Sequence, residues 1–260
     1  MPSGYDAKVA SPLVLAFHGA YTNGLIMEKF SGLSAKADAA NFIVAYPNGT
    51  GVGTVLFFNA FTRPAPNGQP DDVKFTAAIL DDMATAYNID AKRVFATGMS
   101  NGGMMCHRLG AELADRIAAI APVAGTIAMP DLHPARPIPV IEFHGTADSI
   151  VRYEGTERNG LRNLKFESVE KTIKTWVEAD GCPAEPKVTD YPVVAGDDTS
   201  AKREVYGPGK DGTEVVLVVI TGGGHTWPGR PPGVKFLGKS TRSISANDLI
   251  WDFFCQHPLR

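Results

Sequence analysis

The 260-residue chain carries 25 Lys and Arg against 28 Asp and Glu, a net charge of −3, with no run of like charges. Hydrophobic residues make up 44% and charged residues 20%, which suits a globular protein with a substantial core and argues against disorder. That balance offers no electrostatic footprint for nucleic acid or an anionic membrane, and no stretch reaches the roughly 18 apolar residues of a membrane span.

The N-terminus, Met1-Pro2-Ser3-Gly4-Tyr5-Asp6, has no basic-then-apolar leader, so a soluble, unprocessed chain is expected, its compartment left open. Cys106, Cys182 and Cys255 lack zinc-site spacing, and no metal is expected. One bridge, such as Cys182 to Cys255, fits the count, and at least one thiol is then free.

In chain order, short β-rich apolar runs fall at 13–17, 42–45, 93–97, 117–123, 140–143 and 215–220. They are unbroken rather than alternating, and most are bounded by Gly, Pro, Asn or Asp, as buried parallel strands are. Helical patterns lie between them. Val73, Ala77, Leu80, Ala84 and Tyr87 share one face, with Asp71 and Asp72 placed at the N-terminal end. Val169, Ile173, Trp176 and Val177 form a second stripe between Ser168 and Gly181, and a third helix opens at Ser245 and ends by Pro258. Strands alternating with helices predict a mostly parallel, doubly wound α/β sheet, one domain over 1–260, with a surface loop at 64–70.

Gly98-Met99-Ser100-Asn101-Gly102 is a GxSxG. The run 93–97 leads into it, and Met105, Leu109 and Leu113 follow at helical spacing, which puts Ser100 on a strand-to-helix elbow. A serine hydroxyl needs a base and a group that orients the base. His225 lies on the glycine-rich loop after the run 215–220, and Asp148 lies just beyond the run 140–143, both strand-end positions where open α/β sheets keep their chemistry. The order Ser100, Asp148, His225 is that of the α/β-hydrolases. Asp197 and Asp198, in a Gly/Asp/Ser loop, read instead as a solvated turn, and His107, His133 and His257 as packing or surface residues.

The oxyanion donors expected for such a serine are the Asn101 amide and an amide of Ala20 or Tyr21, in the loop after the first strand. Only 14 residues, 124–137, lie between Val123 and Ile138, where a cap domain would be inserted, so no cap and an open, shallow site are expected. Tyr21 and Trp227 are candidates to line it, and His144 to shape the Asp148 turn and touch substrate.

The blocks His18-Gly19, Asp71-Asp72-Val73, Ala96 to Met105, His144 to Asp148 and Gly222 to Gly229 resemble the polyhydroxybutyrate depolymerase and feruloyl esterase-like family over nearly the whole chain. The resemblance implies an α/β-hydrolase fold and a cofactor-free, often exported serine esterase. The implied substrates are polyesters, hydroxycinnamate esters or acetylated xylan, with Ser100, Asp148 and His225 as the triad. Family members commonly carry a leading β-hairpin before the counterpart of Pro2 to Asp6, past which this sequence starts, Lys74 stands where they often have glycine, and no cysteine near Tyr206 matches the partner often seen for Cys182. The expected function is ester hydrolysis on a phenolic ester or a polyester. The alternatives are an acetylxylan-type deacetylase, a serine peptidase, or a non-catalytic polymer-binding relative.

Overall fold

The computed structural model describes residues 1–61, 68, 70–156 and 166–260; of the predicted loop 64–70, all but Gly68 and Pro70 lies outside them. In order the elements are β1 (Ser11–Phe17), α1 (Gly24–Ser31), α2 (Leu33–Ala40), β2 (Ile43–Ala45), β3 (Thr50–Val52), β4 (Val55–Phe57), α3 (Asp72–Ala86), β5 (Ile89–Met99) and α4 (Asn101–Glu112). There follow β6 (Ala119–Val123), β7 (Val140–Gly145), α5 (Val169–Asp180), β8 (Lys187–Asp190), β9 (Ser200–Tyr206), β10 (Val215–Thr221) and α6 (Ala246–Gln256).

Eight strands form one sheet in the order β2-β1-β5-β6-β7-β10-β9-β8, and β3 and β4 make a separate hairpin. The six strands expected from the apolar runs pair in parallel, and among the described residues only β9 and β8 add on antiparallel at one edge. This is the α/β-hydrolase fold. The segment between β6 and β7 contains no helix or strand, so no cap is built there.

Alternation along β1 separates two core layers. Leu13, Leu15 and Phe17 join Leu80 of α3, Met105 and Leu109 of α4 and Trp176 of α5 on one face. Val14 and Ala16 join Met27 of α1, Leu33 of α2 and Phe254 of α6 on the other. The helix starts and the end of α5 follow their sequence signals: Asp71, Ser168 and Ser245 cap by accepting the amides of Lys74, Lys171 and Asp248, and Gly181 ends α5 in the left-handed region.

The strand order fixes where a site can form. From β1 the chain winds outward to β2 and then returns to β5 on the other side of β1. Connections leave in opposite directions at that point, and a crevice opens at the carboxyl ends of β1 and β5.

Candidate active site

Ser100 is the single residue between β5 and α4. Its backbone, φ 56° and ψ −118°, lies where a non-glycine residue pays about 1–3 kcal/mol in strain. The neighbours hold it there. Its N–H donates to the Val123 carbonyl (2.9 Å) and its carbonyl accepts from Met104 N–H (2.9 Å). The start of α4 passes so close to β1 that a Cβ on Gly102 would overlap the Phe17 carbonyl, and one on Gly98 would overlap Gly102. These are the two flanking glycines of the GxSxG.

Asp148 sits three residues past β7, buried, with Oδ1 accepting the amides of Ile150 (2.8 Å) and Val151 (2.9 Å). Its Oδ2 accepts from His225 Nδ1 at 2.7 Å. That bond fixes the imidazole tautomer and leaves Nε2 as its basic nitrogen. The His225 loop after β10 is held from outside: His225 N–H donates to the Leu237 carbonyl (2.7 Å) and Gly224 N–H to that of Lys239 (2.8 Å). Ser100 and His225 line the same cleft. Asp197 takes no part in it; its carboxylate accepts from Thr199, Thr241, Arg242 and Ser243 and ties two outer loops together.

The structure separates the two candidates for the second oxyanion donor. Tyr21 N–H already donates to the Leu56 carbonyl at 2.8 Å. The Gly19 carbonyl accepts from His18 Nδ1 (2.8 Å) and Thr22 Oγ1 (2.7 Å). Because the peptide is planar and trans, the Ala20 N–H in that same unit faces the opposite way. His18 is buried and neutral, its Nε2 accepting from Gly49 N–H at 3.0 Å, and burial lowers its pKa. The Asn101 amide belongs to the first turn of α4, where N–H groups have no partner within the helix.

The cleft has a volume of about 900 Å³, and it is not the shallow surface expected from the short 124–137 segment. Its walls come from elsewhere: from Phe57 to Ala60, Met99 and Met104, from Ile150 to Arg152 and Phe166, and from Pro232 to Val234 with Phe236 and Leu237. Tyr21, Ile26, Val234 and Phe236 stand exposed at its mouth. Sequence reasoning missed the 57–60 wall. Asn101 Oδ1 accepts Phe58 N–H (2.7 Å) and its Nδ2 donates to the Phe58 carbonyl (3.0 Å). Asp72 Oδ2 accepts Asn59 N–H (2.6 Å), and Arg108 Nη1 donates to the Asn59 carbonyl (2.7 Å). Asp72 is thus a buried anchor for that wall, with burial raising its pKa, while Asp71 does the helix capping.

Three expectations are corrected. Trp227 does not line the cleft: it is fully buried in the α6-side core layer, where its Nε1–H donates to Asn247 Oδ1 at 2.9 Å. His144 is buried beneath the Asp148 turn and is not part of the cleft wall either. Cys182 and Cys255 form no bridge; all three thiols are free. Tyr21 does line the cleft. His107 is a core residue, His257 packs against Phe253 and His133 is exposed.

No protein-family model matches the chain. It is 35% identical over 256 residues to a putative esterase, NocK, of Nocardia uniformis subsp. tsuyamanensis, covering 93% of this chain and 73% of that protein. It is 31% identical to feruloyl esterase B of Piromyces equi over 86% of this chain, and spans 41% of that longer protein. Among solved structures it is similar to the acetyl xylan esterase from Aspergillus awamori, with a TM-score of 0.66 and 16% identity over 98% of this chain and 91% of that one, a likeness of fold.

Proposed function

The chain belongs to the polyhydroxybutyrate depolymerase and feruloyl esterase-like family of ester hydrolases, and from that premise we propose that it is a single-domain serine esterase acting through Ser100, His225 and Asp148. The observation that carries this reading is the 2.7 Å His225–Asp148 hydrogen bond beside a cleft that Ser100 shares. Ser100 Oγ attacks the ester carbonyl as His225 Nε2 takes its proton, and the amides of Asn101 and Ala20 stabilise the oxyanion. His225 returns the proton to the leaving alcohol, then activates the water that releases the acyl group. Asp148 keeps the imidazole oriented and stabilises its protonated form.

The substrate class follows from the walls. Phe57, Phe58, Met99, Met104 and Phe166 present an apolar, aromatic-rich surface suited to a bulky acyl group, as in a feruloyl-type ester or a polyester. The test compares methyl ferulate, p-nitrophenyl acetate and a 3-hydroxybutyrate oligomer with wild type and Ser100→Ala. Loss of the serine should cut turnover by about 10⁴ to 10⁶. Equal rates in the two proteins would overturn the mechanism, and the best wild-type substrate identifies the acyl class.

A further inference from the structure

Directly under the Asp148 turn, β7 carries two ionisable side chains on one face, Glu142 and His144, both buried. Nothing in the hydrolytic steps above uses them. Charged residues are almost never fully buried unless paired, so their placement calls for a physical account. His144 Nε2 lies 2.8 Å from the Val151 carbonyl, and Nδ1 lies 3.3 Å from Glu142 Oε1. A carbonyl oxygen can only accept, so Nε2 carries a proton. Nδ1 faces a carboxyl oxygen, so a second proton is held between the two side chains.

The surroundings decide where the charge rests. His107, on α4, is the other titratable group facing Glu142, with Nε2 3.7 Å from Oε2. It cannot share the charge: its Nδ1 accepts from Trp176 Nε1 (2.9 Å), its Nε2 bonds the Gly125 carbonyl (3.0 Å), and burial lowers its pKa to about 4. Glu142 Oε2 is left without a hydrogen bond among the described residues. Tyr153 meets His144 edge-on with ring centres 5.9 Å apart, and burial raises its hydroxyl pKa. On the cleft side, Asp148 Oδ2 stands 3.8 Å from His144 Nε2. His144 therefore lies between two carboxyl groups. Burial opposes charge on both members of the pair and raises the Glu142 pKa, but at His144 the hydrogen bond and charge of Glu142 outweigh burial and the pKa is raised.

We propose that Glu142 and His144 form a buried carboxylate–imidazolium pair that positions Asp148 and sets the pH at which His225 becomes a base. His144 acts on the turn through Val151, whose carbonyl it holds and whose N–H binds Asp148 Oδ1. It acts electrostatically on Asp148 Oδ2, the oxygen that His225 uses. A cation beside Asp148 offsets part of the negative charge that would otherwise favour the protonated form of His225. Both are positioning residues, and the role rests on the reading of Ser100, Asp148 and His225 given above.

The test pairs ¹⁵N-histidine NMR of the wild-type protein with pH profiles of kcat/KM on p-nitrophenyl acetate for wild type, Glu142→Gln and His144→Gln. Gln at 142 can still hydrogen-bond His144 Nδ1 but removes the counter-ion, so His144 should fall to one proton. Gln at 144 can still donate to the Val151 carbonyl but carries no charge. In the wild type both His144 nitrogens should stay protonated through the His225 titration. In either variant the acidic limb should move up by about 0.5 to 1 pH unit. A purely structural role would lower the rate without moving the limb. A singly protonated wild-type His144 overturns the pair whether or not the variants fold. A doubly protonated His144 in an active wild type, with an unmoved limb in the folded variants, overturns the role alone. An inert wild type overturns the esterase reading, and the role with it.

Discussion

Replacing Asn101 by Ala should separate the two services this residue performs. Its backbone amide, proposed as an oxyanion donor, survives the change, whereas its side chain brackets Phe58 with bonds of 2.7 and 3.0 Å to the N–H and the carbonyl. Phe58 is 1% exposed and Asn101 5%, so both backbone groups would be stranded where water enters poorly. Each orphaned group costs about 1–3 kcal/mol, and partial relaxation toward the cleft brings the expected total to about 2–4 kcal/mol. For a chain of this size, at about 2 °C per kcal/mol, the melting temperature should fall by about 4–8 °C. The loosened 57–60 wall should raise KM by about 10-fold while kcat stays well above that of Ser100→Ala, because this wall shapes binding and leaves the nucleophile untouched. Thermal melts followed by circular dichroism, with esterase kinetics at 25 °C, read both effects. Asn101→Asp is the control: it keeps an acceptor for the Phe58 N–H but sets a carboxylate oxygen against the Phe58 carbonyl, and should be no better than Ala. A melting shift under about 1 °C, or a kcat loss as deep as that of Ser100→Ala, would refute the bracketing argument.

Trp227→Phe loses the bond to Asn247 but keeps most of the ring packing, so it should cost about 1–2 kcal/mol in chemical denaturation and leave KM within two-fold. A raised KM with unchanged stability would instead put the indole in the cleft. Asp180 is buried, with Oδ1 accepting Ile138 N–H at 3.0 Å, and burial raises its pKa to about 7. Its folded value lies above the unfolded one, so the stability attached to its protonated form is complete below about pH 4 and is lost as the pH rises toward 7. Asp180→Asn should remove that slope, matching wild type near pH 4 and exceeding it at pH 8 in urea titrations; an unchanged slope between pH 4 and 7 would count against the assignment.

The parallel core was legible because both faces of those strands are covered, so they read as unbroken apolar runs. The edge was not. β9, Ser200–Tyr206, carries Lys202, Arg203 and Glu204, and β8 is exposed throughout, so neither shows a hydrophobic signature. The early helices escaped for a different reason: α1 and α2 are eight residues each, about two turns, too short for an apolar stripe to repeat, and are separated only by Gly32 in the left-handed region. Ser100, Asp148 and His225 could be picked out by motif and chain order, since strand-end position is a one-dimensional property in this fold. The supports of the site could not. What Asn101 and Asp72 do depends on partners 43 and 13 residues away across turns the sequence does not dimension. Trp227 was misjudged because a loop tryptophan next to a glycine run gives no sign of which side it faces; α6, packed beneath, decided it.

At φ 56°, Ser100 occupies backbone space that glycine enters freely. A chain shaped by stability alone would carry glycine there. Relief of about 1–3 kcal/mol of strain, less the roughly 0.5–1 kcal/mol of extra freedom glycine gives the unfolded chain, should make Ser100→Gly at least as hard to unfold as the native protein. On the proposed mechanism, durability and turnover are therefore opposed at this one position, and a selection for heat resistance that never asks for ester cleavage would drift toward discarding the hydroxyl.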